Sequence, residues 1–75
     1  MIRWGLRDIL DEHKITAYRL AGELKGEVSR NTVYALARGE GRRVDLPTLN
    51  AVLQTLRRLT KTNMGVGDLL IFEDT

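Results

Sequence analysis

Asn31, Ala35 and Arg38 lie at i, i+4 and i+7 in "VSRNTVYALARGEGRR", the stretch from Val28 to Arg43. At about 100° per residue this spacing puts all three on one side of a helix, with Tyr34 beside them. Their types suit the edge of a nucleic-acid base. The Asn31 carboxamide can bond bidentately to adenine N6 and N7, and the Arg38 guanidinium to guanine O6 and N7. Ala35 is small enough for close approach or for contact with a thymine methyl. Arg30 and Thr32 sit in the first turn, the part of such a helix that usually reaches deepest into a groove. The Ser29 hydroxyl and the helix N-terminus suit phosphate, and Arg42 and Arg43, on a glycine-flanked loop, are placed for a phosphate backbone. Each residue also has a plainer role. Arg38 can complement the dipole of its own helix, Asn31 and Thr32 can be solvated first-turn residues, and Tyr34 can be half-buried. The joint pattern is what points to a polyanion.

The opposite side of the same helix carries Val33, Leu36 and Ala37, which a core would take. Ser29 reads as its N-cap and Gly39 as its stop, and Val28 with Val33 makes a hydrophobic staple. The preceding stretch, "ITAYRLAGELKG", has the same grammar: Thr16 caps, Ile15 and Leu20 staple, Leu20, Ala21 and Leu24 face inward, and Gly26 ends the helix. Two capped helices joined by a turn, with small Ala21 allowing close approach, form a helix-turn-helix that presents its second helix outward. The major groove of duplex DNA admits such a helix.

The remaining elements support this pair. Ile2, Leu6, Ile9 and Leu10 predict a helix over 1–13. Asp45 caps the longest helix, with Pro47 in its first turn and an apolar stripe through Leu46, Leu49, Val52, Leu53, Leu56 and Leu59. That stripe is too short for a coiled-coil seam. Met64 and Leu69 flank a short helix from Gly65. Leu70, Ile71 and Phe72 then read as a strand, a disordered tail or part of an interface.

The chain has 75 residues and no cysteine, which sets one domain over 1–75, no disulfide and no thiolate chemistry, and fits a reducing cytoplasm. Its N-terminus is charged throughout with no apolar h-region, so no secretory signal is expected, and no apolar run reaches the ~20 residues a membrane span needs. Residues 28–61 carry a balance of +5, while 1–27 are neutral and 62–75 carry −3. Catalytic signals are poor. His13 is the lone histidine, and Asp11 and Glu12 diverge by about 100° on a helix. "GEG" and "GVG" lack the rest of a dinucleotide fingerprint. No enzyme activity, cofactor or metal is expected.

"ITAYRLAGEL", "VSRNTVYALARGE", "DLPTLNAVLQTL" and "GVGDLL" occur in the order found in small lambda-repressor-like (Xre/Cro-type) helix-turn-helix regulators, and the sequence resembles them over nearly its whole length. The resemblance implies an all-α fold, a compact bundle of about five helices. Segment 29–38 would be the recognition helix, and 16–24 the supporting helix with its first residues, Thr16 among them, against phosphates. It also implies operator binding as a dimer, commonly in repression. Two departures are visible: Lys25-Gly26-Glu27 makes the turn longer than usual, and 57–64 is extended. Leu70–Phe72, if exposed, would be an unpaired apolar edge, and such edges invite pairing. A homodimer through the C-terminal segment, with Met64, Leu70, Ile71 and Phe72, is therefore expected. A small antitoxin-like module that binds a protein partner through the same fold is the main rival. RNA or non-specific binding ranks lower, because Trp4, Tyr18, Tyr34 and Phe72 are scattered rather than interleaved as a stacking platform.

Overall fold

The structure is a computed structural model and describes residues 1–74. The order of elements is β1 (Ile2–Trp4), α1 (Leu6–His13), α2 (Ala17–Glu23), α3 (Arg30–Ala37), α4 (Leu46–Thr60), α5 (Val66–Leu69) and β2 (Leu70–Phe72). Among the described residues, five helices surround one core, in which Leu10, Leu20, Val33, Leu56 and Leu69 are fully buried. No described helix is long and apolar enough to cross a membrane.

Each central helix starts where an oxygen-bearing side chain satisfies a first-turn N–H. Thr16 Oγ1 accepts from Arg19 N–H at 3.0 Å, Ser29 Oγ from Thr32 N–H at 3.1 Å, and Asp45 Oδ1 from Thr48 N–H at 2.8 Å. The helix ends are equally specific. At the end of α3, Gly39 N–H donates to Leu36 O and Glu40 N–H to Ala35 O, with Gly39 at φ +76. This pairing of orphan carbonyls is a Schellman motif. At the end of α1, Lys14 takes the left-handed position at φ +55, and the Ile15 N–H bonds Leu10 O with both side chains buried. The longer turn between α2 and α3 folds by two successive left-handed residues, Lys25 at φ +52 and Gly26 at φ +84. Buried Leu24 and Val28 bracket it. Helix α2 therefore ends at Glu23, before Gly26, because Lys25 already leaves the helical region.

Three expectations need correction. Residues 1–5 are not the first turn of α1. Ile2–Trp4 is a strand antiparallel to β2, in the register Ile2↔Phe72, Arg3↔Ile71 and Trp4↔Leu70. The Gly5 N–H bonds Leu69 O at 2.7 Å, and a Cβ at Gly5 would lie 2.5 Å from Asp68 O, so glycine is the residue that lets the chain pass between sheet and helix. Second, Leu70–Phe72 is not wholly unpaired, since β1 occupies one side of it and leaves only the other as an edge. Met64 and Leu70 pack half-buried against the core, Ile71 is half-buried, and only Phe72 is exposed. Third, Leu46 is 78% exposed. It opens α4 ahead of the core, and the buried stripe runs instead through Leu49, Val52 and Leu56, widened by Ala51 and Thr55.

Candidate nucleic-acid interface

Helix α3 is oriented by its apolar side. Val33, Leu36 and Ala37 are buried, and α3 packs chiefly on α2, where Leu20 and Ala21 are buried too. That contact turns the polar side outward. Arg30, Asn31, Thr32 and Arg38 are exposed, and Tyr34 and Ala35 are half-buried at the margin. At 1.5 Å per residue, Asn31 and Arg38 stand about 10 Å apart along the axis, close to three base-pair steps.

The first turn of α3 is locked by its cap. Ser29 O–H donates to Thr32 Oγ1 at 2.8 Å while Ser29 Oγ accepts the Thr32 backbone N–H. Arg30 reaches across to α2, where its Cζ lies 4.8 Å from the centroid of the Tyr18 ring. Tyr18 is 69% exposed, at the start of α2 near exposed Thr16, with half-buried Ala17 between them. Tyr18 adds to the residues that α3 and its flanks supply to this surface. The signal was available: a large aromatic on a short helix, off the Leu20, Ala21 and Leu24 stripe, has no place in the core.

At the other end of α3, Arg38 Nη2 pairs with Glu40 Oε1 at 3.1 Å. Arg7 Nε donates to Ala37 O at 3.3 Å, so a cation from α1 also closes the helix C-terminus, where the dipole favours it. Arg43 and Thr32 line a common groove with Val44, Asp45 and Thr48, which sets the basic loop beside the first turn of α3. Arg42 and Arg43 are both exposed. The Asp45 carboxyl in this groove is held below the usual carboxylate range, first by the Thr48 hydroxyl and then by the Thr48 backbone N–H.

The basic excess of the middle segment does not form one patch. Arg30, Arg38, Arg42 and Arg43 belong to α3 and its following loop. Arg58 instead bridges Glu23 at the end of α2, at 3.1 Å, and Arg57 bonds Asn63. Among the described residues no group of three acidic, histidine or cysteine side chains is placed to hold a metal ion.

A helix-turn-helix with its second helix turned outward, cations at both ends of that helix and a basic loop beside it is the geometry of a DNA-binding module. The family model for the Cro/C1-type helix-turn-helix DNA-binding domain matches residues 5–75. The chain belongs to that family. No curated protein and no solved structure matches it. As a Cro/C1-type domain it is a DNA-binding regulator. The match begins at Gly5, the residue after β1.

Proposed function

We propose that this Cro/C1-type domain acts as a single sequence-specific double-stranded DNA-binding unit and represses transcription as a homodimer, with α3 in the major groove. The observation that carries the reading is the division of α3 into a buried Val33, Leu36, Ala37 side and an exposed Asn31, Arg38 side, with Arg43 beside Thr32. Asn31 and Arg38 read base edges, with Ala35 and Tyr34 bordering them. Arg30 and Thr32 enter with the first turn. Thr16, Arg42 and Arg43 serve the phosphate backbone, joined by Tyr18, and Ser29 does so where its O–H turns from Thr32 Oγ1 to a phosphate oxygen. Contacts to Z phosphates release counterions, so log K falls with log salt at a slope of about −0.9Z. Titration of a labelled duplex across salt concentrations tests the reading. A steep slope supports it, and a flat slope with weak binding contradicts it.

The dimer reading keeps Phe72 of the C-terminal segment and adds the N-terminal strand beside it. The register partners Ile2 and Phe72 are 67% and 71% exposed, next to Met1 at 71%, on a two-stranded sheet whose outer edges are open. Pairing of two copies there covers apolar surface and strand edges together. Two recognition helices would then read half-sites about 34–36 Å apart. A sedimentation mass that stays monomeric at every concentration contradicts this part. The same patch is the observation that favours the second reading, a protein-interaction module that holds a different chain.

A further inference from the structure

We propose that Trp4 is a positioning residue for the basic loop: its indole N–H anchors the loop at Gly41 and so sets where Arg42 and Arg43 meet phosphate. The proposal rests on the DNA-binding reading above and extends it to the N-terminal strand, which the family match leaves out. The indole donates to Gly41 O at 2.8 Å, across 37 residues of sequence.

Both sides of this bond are fixed by other means. Trp4 ends β1 opposite Leu70, and the next residue, Gly5, is held by Leu69 O at 2.7 Å. The ring therefore projects from an anchored strand. On the loop side, the Schellman bonds of Gly39 and Glu40 hold the start, and the Asp45 cap holds the end. Residues 40–45 between them have no regular secondary structure, and Arg42 and Arg43 stand exposed there. The indole bond falls in that interval. Space is fitted to it: a Cβ at Gly41 would sit 2.5 Å from Leu36 Cδ2 and 3.0 Å from Trp4 Nε1. A groove lined by Trp4, Gly41, Arg42 and Arg43 runs between β1 and the loop. A purely apolar ring would serve the packing of Trp4 against the core. The aimed N–H serves the loop.

Two variants test this. Trp4→Phe keeps an aromatic ring and removes the donor, and Arg42→Ala/Arg43→Ala removes the groups said to be positioned. In the free protein, backbone relaxation by NMR should show residues 41–43 more mobile in Trp4→Phe than in wild type, with α3 unchanged. On duplex DNA, Trp4→Phe should weaken specific and random sequences alike, by about 3–10-fold, the range expected for one net hydrogen bond. It should lower the salt slope and leave base preference intact, as loss of phosphate contacts does. In the Arg42→Ala/Arg43→Ala background, Trp4→Phe should have no further effect on affinity, because a positioning role has nothing left to act on. A loop that stays equally ordered in free Trp4→Phe overturns the proposal whether or not DNA binds. So does an undiminished Trp4→Phe effect in the double-alanine background. Failure of wild type to bind any duplex would instead defeat the DNA-binding reading, and the loop measurement would still decide the anchoring.

Discussion

The Arg30 guanidinium stacks over the ring of Tyr18, 4.8 Å from its centroid, and joins the first turns of α2 and α3 on their outer surface. Inside, Leu20, Ala21 and Val33 join the same two helices by burial. A cation in the first turn of α3 faces the unfavourable end of the helix dipole, and the negative face of the ring offsets this. The stack therefore holds Arg30 ready at the groove entrance.

Exposed cation–π pairs are worth roughly 0.5–1 kcal/mol. Tyr18→Leu should therefore weaken duplex binding by about 2–5-fold, while Tyr18→Phe, which keeps the ring face, should retain most of the affinity. Anisotropy titrations of the three proteins on one duplex check this.

Arg38 is paired with Glu40 in the free protein, and both side chains are more than half exposed. Such a pair adds little to stability, about 0–1 kcal/mol. Its consequence is for binding. Arg38→Ala should cost roughly 1–3 kcal/mol on a specific site and relax one base position. Glu40→Gln removes both the competing partner and a like charge for phosphate. It should tighten binding at low salt, with a melting temperature close to wild type. Titration and thermal melts in parallel separate the two effects.

Asp45 caps α4 through Thr48, and those bonds depress its carboxyl below the usual range. A group with a depressed folded-state value contributes stability above its unfolded value, near 4, and loses it as pH falls through the folded value. The acid-induced loss of stability should therefore be smaller in Asp45→Ser than in wild type below about pH 4. At pH 7, Asp45→Ala should be less stable than wild type, because a helix cap is lost. Chemical denaturation at both pH values measures this.

Gly5 is buried, and no methyl fits between it and Asp68 O or Ile71 Cδ1. Gly5→Ala should destabilise the fold by roughly 1–3 kcal/mol through overpacking. Gly22, where an added Cβ meets nothing within 4 Å, serves as the contrasting site. There an alanine in a helix should be neutral or stabilising, by up to about 1 kcal/mol.

The helix-turn-helix was legible in the sequence because its signals are local. Thr16, Ser29 and Asp45 are caps whose partners lie three residues away, and the buried side of α3 follows from Val33, Leu36 and Ala37 alone. The terminal sheet was not legible, because Ile2 and Phe72 meet across nearly the whole chain. Locally, Ile2 falls in step with Leu6, Ile9 and Leu10 and extends their helical rhythm by accident; it is in fact exposed. Left-handed lysines at 14, 25 and 61 stand where glycine is the usual sign of a helix end, so those ends carried little warning. The residue types and spacing of the candidate site, from Thr16 and Ser29 through α3 to Arg42 and Arg43, are legible in the sequence. The Tyr18–Arg30 stack, the Glu40 partner of Arg38 and the Trp4 anchor depend on tertiary packing that no window of sequence displays.

The central claim is that the exposed side of α3 reads base sequence. Selection of a random duplex library by wild type and by Asn31→Ala, at one moderate salt concentration, tests it most directly. Wild type should enrich an inverted repeat with half-sites about one duplex turn apart, and Asn31→Ala should lose preference at one position of each half-site. No enrichment with folded wild type, or the same motif at the same strength from both proteins, would contradict it.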